Sequence, residues 1–423
     1  MDNSERHELR YQRRKAKRDE KRFEAGGKTF DEVFSFNNLC AAGKQCCNGS
    51  RWKSSTINFE TFLMRDCYNM LLKLQSGDRQ FRGFHSFRVI EHGKARNIDA
   101  LPIQERAAQK CFCNNLLTEA YSRSFVFDNS SSLKFKGMDF ALRRLKKHLV
   151  KHFHKYGLEG GIYQFDFKNY FGSIPHEEIK RRAKRIILDP KLYDTFCSYV
   201  DDFQKLKTAD RNDIIKHGVG LGSEVSQIIA LDFASPIDHY IKDVLGVKGY
   251  GRYMDDGYVI DSSIERLKEI KKQVYALATD LGLKMNDKKN TITPFKNHSF
   301  VFLKIRITLT KSGKVIFKLS KKSIKAARRR LKIFRRWVDE GKMYPEDAFA
   351  SYQSWRAHAR RCNSYDTLES MDAYFVDLFR EELRARRLKF PCTLIPIKDS
   401  MGWKYRRHGE PAESRGRPIW DEQ

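Results

Sequence analysis

An α+β chain is the class this sequence predicts, for three reasons. Its 423 residues are 40% hydrophobic and 13% aromatic, enough to bury cores in two or three compact units. β-rich runs gather at 161–167, 250–260 and 299–319, with helical periodicity before and after them. Two of those runs meet across Met254-Asp255-Asp256, as a hairpin does.

Residues 1–22 are charged and nearly free of apolar side chains. They read as a basic arm, frayed or a solvated helix, that stops at Ala25-Gly26-Gly27. Apolar residues recur at helical spacing from Phe30 to about Leu74. Phe87 to Ile90 and Arg96 to Ile98, around His92-Gly93-Lys94, predict a hairpin with a basic tip. Ile103 to Tyr121 and Phe140 to Phe153 read as helices. Gly161 to Phe167 alternates as a strand does, with Asp166 near its end. Beyond the central hairpin, Leu267 to Leu283 is an amphipathic helix, and Ser299 to Leu309 and Val315 to Leu319 are strands. Lys311 to Trp337 holds twelve Lys/Arg and no acid, and from Lys321 it reads as a helix with Ile324, Leu331, Ile333, Phe334 and Trp337 for an apolar face. Prolines, glycines and charge from Pro391 onward predict irregular structure.

With 82 Lys/Arg against 53 Asp/Glu the formal charge is +29. Such an excess needs a polyanion, and nucleic acid is favoured over membrane because the cations are dispersed through an aromatic-rich chain. No apolar run approaches the ~20 residues of a bilayer span. The charged N-terminus lacks a secretory stretch, so a cytoplasmic location is expected. Nine cysteines without a C-x-x-C pair predict reduced, structural thiols, with neither a disulfide frame nor a zinc site. The histidines 148, 152 and 154, in basic helical text, are expected at the surface or as phosphate contacts, not as ligands.

Three carboxylates carry the chemistry. Asp255 and Asp256 adjoin at the hairpin turn, which can bend both toward one site, and Asp166 ends another strand. Paired in one sheet, the strands would gather a set of hard oxygen ligands. Such a set suits two Mg²⁺ ions, with Mn²⁺ an alternative, clamping an in-line attack on a phosphoryl group. An isolated Asp-Asp is more often an ordinary polar turn; the neighbouring text decides.

Tyr253-Met254-Asp255-Asp256 resembles the Y-x-D-D hairpin of reverse transcriptases. Phe165-Asp166-Phe167-Lys168-Asn169-Tyr170-Phe171 resembles their first catalytic motif, and Gly218 to Gln227 their template-and-nucleotide loop. Leu281-Gly282-Leu283 with Lys288-Lys289 is similar to the L-G-L…K segment, and Phe302-Leu303 to the primer grip. Lys94-Ala95-Arg96 through Gln104-Glu105-Arg106 to Gln109 resembles the fingers motif K-x-R…D-R-x-x-Q, with Glu105 in place of the aspartate. Six blocks in the family's order span about 94–303.

The resemblance implies a right-hand polymerase of α+β class. A basic arm would cover 1–25, fingers 26–150, and a palm 151–310 with a finger-type insertion at about 175–220. A helical basic thumb would follow over 311–390, then a tail over 391–423. It implies an RNA-directed DNA polymerase whose metals are held by Asp166, Asp255, Asp256 and the Phe167 carbonyl. Lys94 and Arg96 would clamp the dNTP triphosphate. Phe171 would exclude a 2′-hydroxyl, Gln227 would lie near the base or sugar, and Lys289, or else Lys288, would protonate pyrophosphate. Template and primer contacts would fall to Gly222, Ser223, Tyr253 and Leu303, and to Lys321, Lys322, Arg328 and Arg329 on the thumb.

The short chain after the thumb and the lack of an Asn-Ala-x-x-His element make it similar to small bacterial enzymes, either defence-associated or of diversity-generating retroelements. Such a member would copy a dedicated structured non-coding RNA into cDNA, as a monomer or an oligomer. A catalytically silent RNA-binding scaffold is the rival from another class.

Overall fold

The computed structural model describes residues 3–79, 81, 83–91, 94–205, 217–296, 298–385, 395–399 and 402–406. The chain divides into two units: Met1–Arg144 with Ile162–Ile292, and Leu145–Gly161 with Thr293–Gln423.

The first unit opens with helix α1 (Asn3–Gly26). The charged arm is neither frayed nor a freely solvated helix: Arg14 and Arg18 pair with Asp243 at 2.9 and 3.0 Å, and Arg22 pairs with Asp232 at 2.6 Å. These cations recur every four residues, so one stripe of the helix meets the body. The helical text from Phe30 resolves into four helices, Phe30–Val33, Phe36–Cys47, Ser54–Thr61 and Leu63–Ser76. Thr29 and Glu32 form a capping box at the first, and Ser35 caps the second. Strands β1 (His85–Glu91) and β2 (Lys94–Ala100) form the expected hairpin, Glu91 opposite Lys94. Ile103–Phe112 continues through a π turn, Cys113–Leu117, into Thr118–Ser122.

A four-stranded sheet positions the site. Its order is β4 (Gly249–Tyr253), β5 (Asp256–Asp261), β3 (Gly161–Phe165) and β6 (Thr291–Pro294). β4 and β5 are antiparallel, from Gly249 opposite Ile260 to Tyr253 opposite Asp256. Ile162, Tyr163 and Phe165 on β3 are all buried, as an inner strand requires. Helix Ile264–Asp280, capped by Ser263, packs against β5, and its Leu267, Ile270, Val274 and Ala278 are buried at helical spacing.

In the second unit β7 (Ser299–Phe302), β8 (Ile305–Leu309) and β9 (Val315–Lys318) form an antiparallel meander. Helices Lys321–Asp339, Pro345–Ala359 and Tyr365–Leu378 share a core around Leu331, Phe334, Tyr352 and Phe375. The Tyr352 and Phe375 rings stack at 4.5 Å. His148 and His152, expected at the surface, are buried instead; an imidazole nitrogen of His152 lies 2.8 Å from the Glu159 carbonyl and its ring packs against Phe295. An imidazole is mostly flat hydrocarbon, so a basic helix can bury it once a carbonyl satisfies the nitrogen. His154 is exposed. The C-terminal text, expected to be irregular, contains a hairpin of β10 (Ile395–Asp399) and β11 (Gly402–Arg406). No disulfide is formed among the described residues, and no helix among them is long and apolar enough to cross a membrane.

Candidate active site

Strand β3 ends at Phe165, and Asp166 is the first residue past it. Asp166 is 3% exposed. One carboxylate oxygen accepts from Asn286 Nδ2 at 2.7 Å and the other from Lys289 Nζ at 2.5 Å. Its carbonyl accepts from the Asn286 N–H at 2.9 Å, and the Lys168 N–H donates to the Lys284 carbonyl at 2.7 Å. The segment 284–290 is thereby zipped along 166–168, which brings Lys289 to the site. Phe167 faces Met285 between those two bonds, so its own carbonyl is left out of that ladder.

The second approach comes from the β4–β5 turn. Met254 and Asp255 are its two central residues, and Met254 has φ +56°, a position that normally selects glycine. Arg252 holds this strained turn. Its guanidinium, 0% exposed, donates Nη1 to the Met254 carbonyl at 2.7 Å and Nη2 to the Leu231 carbonyl at 2.8 Å. It also forks onto Asp238, Nε to Oδ1 at 2.7 Å and Nη2 to Oδ2 at 2.6 Å, and Tyr250 donates its hydroxyl to the same carboxylate at 2.5 Å. The position after Asp256 must be glycine for a steric reason: a Cβ on Gly257 would lie 2.2 Å from the Phe165 ring. Without it, β5 could not approach β3 where Asp256 and Asp166 must meet.

Lys289 joins the two strands, its Nζ 3.6 Å from Asp256 Oδ1 as well as bonded to Asp166. Burial, the neighbouring Asp255 charge, and Asp166 all push the Asp256 carboxyl above its usual range, against the pull of Lys289. Burial works against the Lys289 charge, yet the hydrogen bond to Asp166 and the charges of Asp256, Asp166 and Asp255 hold its ammonium above the usual value. Among the described residues no three His, Cys, Asp or Glu side chains form an assembled metal site. The donors nevertheless fit a hard divalent cation: they are oxygens, and the carboxylates of Asp166 and Asp256 share the one ammonium of Lys289.

Phe171 is half-buried against the core, its ring edge-on to Tyr170 at 6.0 Å. Its carbonyl accepts from the Val219 N–H at 2.8 Å, which ties the first motif to the 218–222 loop. Gly222, at φ +125°, lies against the Asp99 carbonyl of β2, 3.1 Å from where its Cβ would be. Ser223 caps the helix Glu224–Phe233 and donates its hydroxyl to Gln109 at 2.5 Å. Gln227 is exposed on this otherwise mostly buried helix, and Tyr253 is partly exposed. Lys94 and Arg96 occupy alternate positions of β2. In the second unit Leu303 and Lys304 form the β7–β8 turn with φ +49° and +67°, rare for such side chains. Lys321, Lys322 and Arg329 are exposed, while Arg328 donates to Ser370 Oγ at 2.8 Å.

Sequence reasoning did not assign roles to Arg252, Asp238, Asn286 or Gln109. Arg252 directly precedes Y-x-D-D, and a cation inside a β-rich run is the signal that could have marked it. Gln109 closes the fingers motif. Its companion Glu105 pairs with Arg79 at 3.0 Å.

A profile of the family described as reverse transcriptase (RNA-dependent DNA polymerase) matches residues 86–307. No curated protein matches. Among 265 matching chains of solved structures is apo telomerase from Candida tropicalis, truncated from the C-terminal domain, at 14% identity and a TM-score of 0.42. The match covers 56% of this chain and 55% of that one, so the chain spans about half the length of this relative. The family match takes in more than half of the sequence, including Asp166, the Y-x-D-D turn and Lys289, and the chain belongs to the reverse transcriptase family.

Proposed function

We propose that this protein copies RNA into DNA by two-metal nucleotidyl transfer, with Asp166, Asp255, Asp256 and the Phe167 carbonyl as the metal-holding set. The single observation that carries the reading is the meeting of Asp166 and Asp256 on one ammonium, Lys289, beside a strained and braced turn. Mg²⁺ bound there, or Mn²⁺ in its place, supplies Lewis-acid activation of the 3′-hydroxyl and charge neutralisation at the phosphates. The rest falls to the chain. Lys289 holds a proton on Nζ within reach of both acids and can release it to departing pyrophosphate. Phe171 limits room at the sugar, and Lys94 and Arg96 meet the triphosphate from the β1–β2 hairpin.

As substrate we propose a dedicated structured non-coding RNA, and as biological role defence against phage. The support for the RNA is the +29 charge, which favours a large polyanion, and the role rests on the resemblance drawn from the motifs, with no Asn-Ala-x-x-His element in the sequence. Extension of a labelled primer on an RNA template tests the chemistry. Asp255→Ala with Asp256→Ala should abolish synthesis and leave the RNA dissociation constant within about threefold, a shift below ~0.7 kcal/mol. DNA synthesis surviving in that double variant would remove the catalytic assignment. Sequencing the RNA and cDNA that co-purify with the protein tests the substrate.

A further inference from the structure

Helix α1 is divided lengthwise by charge. At about 100° per residue, Tyr11, Arg14, Arg18, Arg22 and Ala25 form one stripe, the one that meets the body through Asp243 and Asp232. Roughly a quarter turn away, at spacings of three and four residues, Arg6, Arg10, Arg13, Lys17 and Lys21 form a second stripe that ends at Glu24. All five cations are exposed, and none makes an ion pair among the described residues. The opposite flank carries the acids Glu5, Glu8 and Asp19 beside one cation, Lys15, and Glu20 lies between that flank and the second stripe.

We propose that the Arg6–Arg10–Arg13–Lys17–Lys21 stripe is a docking surface for the phosphate backbone of RNA. It deepens the polymerase reading and rests on it for the identity of the polyanion. Three features favour this occupant. The docked stripe fixes the helix on the body, so the second stripe is presented as a rigid row. Its cations follow one another about every 4.5–6 Å over a length of about 22 Å, a geometry suited to successive phosphates of one strand. Only Glu20 borders it before Glu24, at the edge beside Lys17, while a second copy of the chain would have to bring an acidic row of matching length. The stripe therefore contributes affinity without sequence preference, apart from the catalytic cluster.

Equilibrium binding of the full chain to a structured RNA over a range of salt tests this without any DNA synthesis, so its failure is distinct from failure of the polymerase reading. Replacing all five cations by Gln should weaken binding at least tenfold at moderate salt and make the log–log salt slope shallower by about three or more, at roughly 0.7–0.9 per phosphate contact. Replacing Arg6, Arg10 and Arg13 by Lys should retain the slope. Circular dichroism checks that the helix persists; if the fivefold variant loses it, Arg13→Gln with Lys17→Gln should still reduce the slope by more than one. An unchanged slope overturns the proposal. So does a change in self-association by sedimentation without a change in slope, which would give the stripe to a second copy of the chain.

Discussion

In the proposed mechanism Phe171 would act by shape and Arg252 by hydrogen bonding. The Phe171 backbone is held by the Val219 N–H and its ring packs partly buried against the core. Phe171→Ala should admit ribonucleotides and reduce sugar discrimination by at least about tenfold, some 1.4 kcal/mol. Competitive dNTP/rNTP incorporation measures it, and unchanged discrimination would end the steric role. Arg252 satisfies the carbonyl of a residue at φ +56° from inside a fully buried pair with Asp238. Arg252→Lys keeps the charge but loses the planar fork. It should destabilise the chain by about 2–4 kcal/mol and lower kcat more than the KM for dNTP, because the turn bearing Asp255 and Asp256 is what moves. Denaturant melts and single-turnover kinetics separate the two effects, and a normal kcat would make Arg252 a core residue only. The acids were legible in the sequence because Y-x-D-D is a contiguous string. The brace was not: Asp238 is 14 residues from Arg252, and nothing in a helix such as 235–239 announces which strand its carboxylate will meet.

At the scale of elements, hydrophobic periodicity and turn chemistry were enough to place the β1–β2 hairpin, the catalytic hairpin and the amphipathic helix beside it. Polar elements were harder. Residues 1–22 have no apolar face, and helices usually dock through one; α1 docks through guanidinium groups whose partners lie more than 200 residues away. Asp243 is the centre of that anchor, receiving Arg14, Arg18 and a ring nitrogen of His239 at 3.0 Å. Burial alone would raise its carboxyl, but the His239 hydrogen bond and charge, the Arg14 hydrogen bond and the Arg18 charge bring it down to about 2. A depressed carboxyl contributes its stability above the unfolded value near ~4. The anchor therefore holds through neutral and mildly acid pH and is lost as pH falls from about 4 through about 2. Asp243→Asn should release the helix at neutral pH, with α1 amides exchanging at least about tenfold faster and amides of β3 unchanged. Hydrogen exchange reads both. Equal protection in variant and parent would leave Arg22–Asp232 as the anchor that matters.

For the whole molecule, the charge of +29 becomes informative once it is sorted by surface. The helix Lys321–Asp339 buries Ala327, Leu331 and Phe334 and exposes Lys322, Lys325, Arg329, Lys332 and Arg336 at spacings of three and four residues. The two units thus each present a row of five exposed cations, on α1 and on this helix. Phosphate contacts release counterions, so their effects on the salt slope add when both rows hold one RNA at the same time, and they do not add when the rows compete for it. Replacing Lys322, Lys325, Arg329 and Lys332 by Gln should weaken RNA binding about equally across unrelated sequences, since backbone contacts carry no base information, and should reduce the slope by about two to three. The dNTP KM at saturating RNA should not move. Combining these changes with the α1 substitutions should reduce the slope by the sum of the two reductions, which would mean that one RNA spans both units. A combined variant no shallower than either parent would instead show two alternative binding modes, and loss of affinity confined to one RNA sequence would show that the helix reads bases rather than phosphates.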